Sequence, residues 1–273
     1  MPALPDTPVF ADCSFVHPAT PCPMIPQPVN LRNELIPRQP EHDPHVASAH
    51  GPFPVPGGWV RGTLNAAGEA WQLLLPANPD ALLDEPSAST AATTDDRMPY
   101  WAFIWPAAIP MIAAVLQADW PAGTRVLELG CGTGIVGLAA LRRGHLVTFT
   151  DYEPRALVLA TSNAELNHCH NFSAQLLDWR RPDHSTWPVI IGCDLLYQTS
   201  AFEPLLQLLD QMLAPGGVCW LGDGGRSAAQ TFPDLARRHG YSVTVMTAQH
   251  LPLPPNSSDF QLLILQRQDP SAL

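Results

Sequence analysis

The sequence contains no lysine, and all 14 of its basic residues are arginine. A P-loop, a pyridoxal-phosphate Schiff base and a lysine-nucleophile aldolase each need an ε-amine of their own, so the missing lysine excludes these three chemistries. The 25 acidic residues give a formal net charge of −11. This balance argues against a nucleic-acid partner, because surfaces that bind polyanions are basic.

Signals for secretion and for membrane insertion are also missing. The first five residues, MPALP, have neither the basic start nor the apolar run of a signal peptide. The longest apolar stretch, residues 101–116, is interrupted by proline and is shorter than the ~20 residues that span a bilayer. The six cysteines show neither a CxxC motif nor the spacing of a disulfide framework. We therefore expect a cytoplasmic protein with no membrane contact and no bound metal.

Proline is abundant and unevenly distributed. Of the 31 prolines, 14 fall within residues 1–56. We predict a largely irregular Pro-rich leader over residues 1–57, since this composition shows no sustained hydrophobic period. A β-hairpin followed by a polar linker is predicted over 58–97, and an α/β domain over 98–273. The chain is 46% hydrophobic, which is enough for a substantial core.

Helical and extended patterns alternate from Met98 onward. Helices are predicted over 106–118, 135–143, 154–167, 201–213 and 227–239, and strands over 124–130, 145–151, 173–177, 188–194, 217–222, 241–248 and 259–267. Continuous β-rich runs such as VLEL and VTFT are typical of strands that helices cover on both faces. The pattern predicts a doubly wound, mostly parallel, seven-stranded Rossmann-like sheet with an antiparallel terminal strand. Such sheets bind ligands beyond the carboxyl ends of their strands.

A glycine-rich loop follows the first strand of this domain. Gly130, Gly132 and Gly134 alternate with Cys131 and Thr133 directly before a predicted helix. Glycine lets the backbone approach a ligand closely, and the helix that follows directs free N–H groups toward it. A GxGxxG pattern also begins at Gly132, so binding of a nicotinamide dinucleotide has to be considered. The preceding Glu128 and the ELGxGxG spacing favour a methyl-donor site.

Carboxylates follow the next two strands. Asp151 ends its strand 21 residues after Gly130. A carboxylate at this point can accept both ribose hydroxyls of an adenosine, or it can cap the helix that follows. Asp178 and Trp179 end the next strand, where a carboxylate can accept from the amine of adenine while an indole packs on the ring. The alternative for Trp179 is a place in the core.

Asp194 and Tyr197 follow the fourth strand, on the acceptor side of the predicted crevice. Methylation of planar amide or base nitrogens usually places two prolines between an Asn or Asp and an aromatic residue. Here two leucines stand between Asp194 and Tyr197, which argues against such substrates. The alternative is that Asp194 caps the helix predicted over 201–213.

Five segments in order are similar to the motifs of one enzyme family: PYWAFIWP (99–106), ELGCGTG (128–134), TD (150–151), LDW (177–179) and DLLY (194–197). They resemble the class I, seven-β-strand S-adenosylmethionine-dependent methyltransferases, and within these the DxxY group of protein lysine methyltransferases. The resemblance covers about residues 59–267. The segment GDGGR (222–226) departs from the more usual pattern of the eukaryotic members.

The resemblance implies S-adenosylmethionine as the cofactor and a lysine-containing protein segment as the substrate. It implies that the cofactor site is formed by Trp105, Glu128, Gly130, Cys131, Gly132, Gly134, Asp151, Asp178, Trp179 and Cys193. Asp194 and Tyr197 are the implied catalytic residues at the acceptor. We expect Asp194 to position the amine and to stabilise the cationic product. The sequence carries no signal for an oligomeric state.

Two alternatives remain open alongside lysine methylation. The first is a methyltransferase that acts on a small molecule or on another protein side chain such as histidine. The second is a non-catalytic protein that binds S-adenosylmethionine.

Overall fold

The computed structural model describes residues 51–84, 98–253, 257 and 259–267. The predicted leader up to residue 50 and the predicted linker over 86–97 lie outside the described residues. The strands are β1 (Trp59–Ala66), β2 (Glu69–Pro76), β3 (Arg125–Leu129), β4 (Leu146–Asp151), β5 (Phe172–Leu176), β6 (Trp187–Cys193), β7 (Leu213–Asp223), β8 (Tyr241–Met246) and β9 (Gln261–Arg267). The α-helices are α1 (Ala108–Leu116), α2 (Ile135–Arg142), α3 (Pro154–Leu166), α4 (Phe202–Met212) and α5 (Phe232–Arg238).

Seven strands form one sheet in the order β5-β4-β3-β6-β7-β9-β8. Parallel pairing joins β5 through β7, and β9 runs antiparallel to both of its neighbours. The chain winds outward from β3 in both directions, so β3 and β6 flank the switch point at which open α/β sheets bind ligands. The predicted seven-stranded sheet with its antiparallel terminal strand is confirmed.

Helices cover both faces of the sheet. On one face, α1 and α2 pack with the β1–β2 hairpin through buried residues such as Trp71, Met111 and Leu138. On the other face, α4 and α5 bury Leu206 and Phe232. The central strands are therefore buried on both sides, which explains their continuous apolar runs.

The β1–β2 hairpin is attached to α3 by two asparagine side chains, and its prediction is confirmed. Asn167 accepts a hydrogen bond from the Gln72 amide at 3.0 Å and donates to the Gln72 carbonyl at 2.7 Å. Asn163, fully buried, accepts from the Leu74 amide at 2.7 Å. The two side chains thus satisfy backbone groups along the open edge of β2 that would otherwise need a further strand.

Several predicted boundaries are wrong. The helix predicted over 227–239 is a 3-10 turn at Ala229–Thr231 followed by α5, which begins at Phe232 with a proline in its first turn. Proline is favoured there because the first helical N–H groups have no partner within the helix. The strand predicted over 217–222 begins earlier, since Leu213 pairs with Trp187 before a register shift. Among the described residues, no helix has the length and apolar character needed to cross a membrane.

Candidate active site

A cleft lies beyond the carboxyl ends of β3, β4 and β6. Eleven of the twelve predicted site residues line it: Trp105, Glu128, Gly130, Cys131, Gly132, Asp151, Asp178, Trp179, Cys193, Asp194 and Tyr197. The twelfth, Gly134, is not part of the lining. Segments that are up to 92 positions apart in sequence therefore meet around one cavity.

Backbone geometry explains the glycines of the loop between β3 and α2. Gly134 has φ +75°, and a Cβ on it would stand 2.7 Å from the Ala160 Cβ, closer than two such atoms can approach. Gly132 has φ +48° and lies against the Trp101 carbonyl. Gly134 thus lets the loop pack closely against α3, while Gly132 lines the cleft.

Asp151 holds the glycine loop in place. Its Oδ2 accepts from the Gly132 amide at 3.1 Å, and its Oδ1 accepts from the Glu153 amide at 3.0 Å. Burial raises the pKa of Asp151 to about 6, although these backbone N–H groups oppose the shift. Each carboxylate oxygen keeps a lone pair that can accept a ribose hydroxyl.

Glu128 is a buried carboxyl group at the floor of the cleft. Burial raises its pKa to about 8, and the Gly137 amide hydrogen bond opposes the shift. Its Oε2 has no hydrogen-bond partner among the described residues. This oxygen packs against Gly137 of α2, where an added Cβ would overlap it, while Glu128 as a residue belongs to the cleft lining.

Asp178 already has a partner at the edge of the cleft. The Arg180 guanidinium donates to it from Nη2 at 2.6 Å and from Nε at 2.9 Å, and the Arg180 amide adds a bond of 3.0 Å. A ligand amine at this carboxylate would therefore share it with Arg180. Trp179 lines the cleft and also packs against the core, so both of its predicted roles are compatible with its position.

Aromatic rings form one wall of the cleft that Asp194 also lines. Tyr100 meets Trp105 edge to face, with ring centroids 5.5 Å apart, and meets Tyr197 in the same manner at 5.8 Å. The Trp105 indole donates to the Tyr100 carbonyl at 3.1 Å, which fixes its orientation. The resulting surface can hold an aliphatic chain and can attract a cationic group through the ring faces.

Asp194 lines the same cleft and is held firmly in place. It is 6% exposed, and its backbone adopts φ +58°, a strained value for a residue other than glycine. Its amide donates to the Gly222 carbonyl at 2.8 Å, and its Oδ2 accepts from the Ala107 amide ahead of α1 at 3.1 Å. Burial raises the pKa of Asp194 to about 6, while the adjacent Arg226 opposes this shift.

Arg226 is the principal site residue that the sequence reasoning missed. It lines the cleft, and its Nη1 lies 2.5 Å from Asp194 Oδ1 and 2.7 Å from Asp223 Oδ2. The signal for it was the GDGGR segment at the end of β7, because β7 lies beside β6 and so brings Arg226 next to Asp194. No group of three or more metal-ligating side chains occurs in the part of the chain that the structure describes.

Comparison with known protein sequences identifies the family. A family described as lysine methyltransferase matches residues 96–232, half of the chain. The mouse EEF1A lysine methyltransferase 3 is 31% identical over 49% of this chain, and the zebrafish electron transfer flavoprotein beta subunit lysine methyltransferase is 30% identical over 54%. A histidine protein methyltransferase 1 homolog from Dictyostelium discoideum is 28% identical over 43%. The matches span 65%, 63% and 41% of these relatives' own lengths, so the chain corresponds to less than two thirds of each.

Comparison with solved structures supports the fold. A TehB-like SAM-dependent methyltransferase from Corynebacterium glutamicum superimposes with a TM-score of 0.50 at 18% identity, over 71% of this chain and all of that one. The motif order, the sheet and the match over residues 96–232 agree with one another. The chain belongs to the lysine methyltransferase family.

Proposed function

We propose that the protein transfers a methyl group from S-adenosylmethionine to a lysine side chain of a protein substrate. One observation carries this proposal: all of the residues that line the cleft, from Tyr100 to Arg226, fall within residues 96–232, the segment that matches the lysine methyltransferase family. The family resemblance therefore includes both sides of the site, the glycine loop and the aromatic wall with Asp194.

The cofactor half of the cleft fits S-adenosylmethionine in its chemistry. Glu128 lines this half of the cleft and supplies a carboxyl group that can hydrogen-bond the donor's amino group. Asp151 keeps acceptor capacity for ribose hydroxyls, and Asp178 can accept from the adenine amine. Trp105, Trp179, Cys193 and the loop around Cys131 supply the apolar contacts of the pocket.

The acceptor half of the cleft suits the side chain of a lysine. Tyr100, Trp105 and Tyr197 form a wall along which four methylene groups can lie. Asp194 lines the same cleft, which supports a role for its carboxylate in positioning the nitrogen. Positioning is the main contribution required of the protein, because the attacking atom must be held about 3 Å from the carbon it attacks.

S-adenosylmethionine held in the cleft would supply a methyl group on a positively charged sulfur, and the sulfur would keep the C–S bonding electrons. The lysine nitrogen forms the new N–C bond with its lone pair, so it must first lose a proton to solvent. Exclusion of water by the aromatic wall favours the uncharged amine. Asp194 then stabilises the positive charge that develops on nitrogen.

Histidine is the second candidate acceptor, because one of the relatives is a histidine protein methyltransferase homolog. The two acceptors share the requirement for an uncharged nitrogen and differ in the shape of the group that enters the cleft. A chemical analysis of the methylated residue distinguishes them.

The proposal is tested by incubating the protein with S-adenosylmethionine labelled in its methyl group and a lysate of the source cell. We expect a labelled protein band that yields methyl-lysine on acid hydrolysis. Since this chain contains no lysine, methyl-lysine in the assay must come from a substrate protein. Asp234→Asn, an exposed change in α5, is the matched control and should label normally.

Each other outcome contradicts the proposal in a distinct way. Methyl-histidine in the labelled band would mean that the acceptor residue is histidine and not lysine. Label confined to small molecules would mean that the acceptor is not a protein. Binding of the donor without any transfer would mean that the protein is a non-catalytic binder.

We also propose a cytoplasmic location and a protein partner rather than a nucleic acid or a membrane. Cys131, Cys169, Cys193 and Cys219 are free thiols, as expected in a reducing compartment. The net charge of −11 favours a basic protein segment as partner and disfavours a polyanion.

A further inference from the structure

Arg226 forms a buried ionic cluster with two carboxylates at the acceptor end of the cleft. One nitrogen of its guanidinium, Nη1, contacts both Asp194 and Asp223. The side chains of Arg226, Asp194 and Asp223 are 4%, 3% and 0% exposed. Arginine keeps its charge in any such environment, so a permanent cation lies beside the residue that faces the acceptor.

The backbone holds Arg226 in this position. Its amide donates to Asp223 Oδ1 at 2.8 Å, and Gly225 precedes it with φ +81°. Its Nε is buried without a hydrogen-bond partner among the described residues. A buried guanidinium with an unsatisfied N–H costs stability, and such arrangements are retained where they serve a site.

Within the part of the chain that the structure describes, the other groups that act on Asp194 include no second cation. The titratable or charged groups that face it are Arg226 and Asp223 from the end of β7, Cys193 from β6 and, further away, Glu128 from β3. The segment before α1 contributes the Ala107 amide, and Tyr100 and Tyr197 line the same cleft. Without Arg226, the Asp194 carboxylate in the cleft and the Asp223 carboxylate buried behind it would have no positive side chain beside them among the described residues.

We propose that Arg226 is a positioning residue that fixes the Asp194 carboxylate and offsets its negative charge, so that the acceptor amine is uncharged when it meets the methyl donor. This inference rests on the proposed methyl transfer to an amine. A carboxylate that is already paired attracts a proton on a neighbouring amine less strongly than a free one does. Arg226 therefore favours the nucleophilic form of the acceptor in the same cleft in which Asp194 positions it.

The charge argument makes opposite predictions for the two partners of the cluster. Arg226→Gln removes the cation and should raise the pKa of an amine in the cleft by about one unit, the size expected for one charge at this range. Asp223→Asn removes an anion and should lower the pKa of an amine in the cleft. The side-chain oxygen of the new asparagine can still accept from the Arg226 amide. Arg226→Lys keeps the positive charge and should leave the pKa of the amine near its value in the wild type.

The probe is 2,2-difluoroethylamine, whose fluorine atoms bring its pKa into the neutral range and report protonation through their NMR shift. It is titrated with acid and base in the S-adenosylhomocysteine complexes of the wild type and the three variants. Arg237→Gln, which alters an exposed ion pair in α5, is the matched control and should behave as wild type. Retained binding of S-adenosylhomocysteine shows that each variant is folded.

Opposite shifts for Arg226→Gln and Asp223→Asn support the inference, since a purely structural role would not produce them. Shifts of the same sign, unchanged values in both variants, or no binding of the probe by the wild-type complex would overturn it. The titration involves no turnover. If the labelling experiment fails while the titration gives the opposite shifts, the result therefore counts against the proposed function and not against the electrostatic role of Arg226.

Discussion

Replacing Gly134 with alanine tests the packing of the glycine loop against α3. The residue has φ +75°, and an added Cβ would stand 2.7 Å from the Ala160 Cβ and 2.9 Å from the Ala160 Cα. The second of these atoms belongs to the backbone of α3, so it cannot move aside as a flexible side chain would. The loop or the helix must shift to admit the methyl group.

Two costs contribute to the expected loss of stability. A left-handed backbone costs a non-glycine residue about 1–2 kcal/mol, and forcing a methyl group into a packed interior costs about 1–3 kcal/mol. Gly144→Ala is the matched control, because Gly144 has φ +79° and a Cβ on it would meet nothing within 4 Å. Gly144→Ala carries only the backbone cost, and both variants lose the same chain entropy in the unfolded state. Gly134→Ala should therefore be less stable than Gly144→Ala by about 1–3 kcal/mol.

Urea unfolding, followed by circular dichroism, measures this difference. Binding of S-adenosylhomocysteine should weaken in Gly134→Ala and stay unchanged in Gly144→Ala, since Gly134 lies in the loop of the cleft and Gly144 follows α2. Equal losses of unfolding free energy in the two variants would refute the packing argument, because the steric contact with α3 would then contribute nothing.

Two further predictions concern groups outside the cleft lining. Asn163→Ala removes the amide that accepts from the Leu74 amide and donates to the Thr133 carbonyl at 2.9 Å. It should cost about 2–4 kcal/mol in urea unfolding because two buried backbone groups lose their partners. Ser162→Ala, at a half-buried neighbour whose hydroxyl bonds only to the Val158 carbonyl of the same helix, should cost little. His145 is buried with both ring nitrogens unpartnered among the described residues, and burial together with Arg143 lowers its pKa. The folded protein disfavours the charged form of His145. The stability that neutral His145 contributes is therefore present above about pH 6.5, the pKa of histidine in the unfolded chain, and is lost as the pH falls below that value. Between pH 7.5 and pH 5.5, the melting temperature of His145→Phe should therefore fall by less than that of the wild type. Equal falls in melting temperature would contradict the role given to His145.

The sheet could be predicted because its signals are local. The continuous apolar runs of β3, β4 and β6 and the turn residues between them identify a doubly wound fold before any contact is known. The boundary of α5 could not be placed, because residues 227–231 have a composition that suits a helix as well as the turn they form. Tertiary contacts determine which of the two is adopted.

The site residues that could be predicted are also those with a local signal in the sequence. Residues that follow a strand directly, such as Asp151 and Asp194, could be assigned because strand ends meet at one edge of the sheet. The pairing of Asp194 with Arg226 depends on the order of β6 and β7 and on a buried conformation of the arginine, neither of which leaves a local signal. The same holds for Asn163, whose partners are 89 and 30 positions away in sequence.

Methyl transfer by Asp194→Ala, compared with binding of the donor by the same variant, tests the assignment of the cleft most directly. Asp194 lines the acceptor side, and the cofactor side is formed by other residues. We predict that the variant binds S-adenosylhomocysteine within a few-fold of the wild type and transfers no label to protein. Normal transfer by Asp194→Ala would contradict the account, because the methyl acceptor would then not be positioned by this residue.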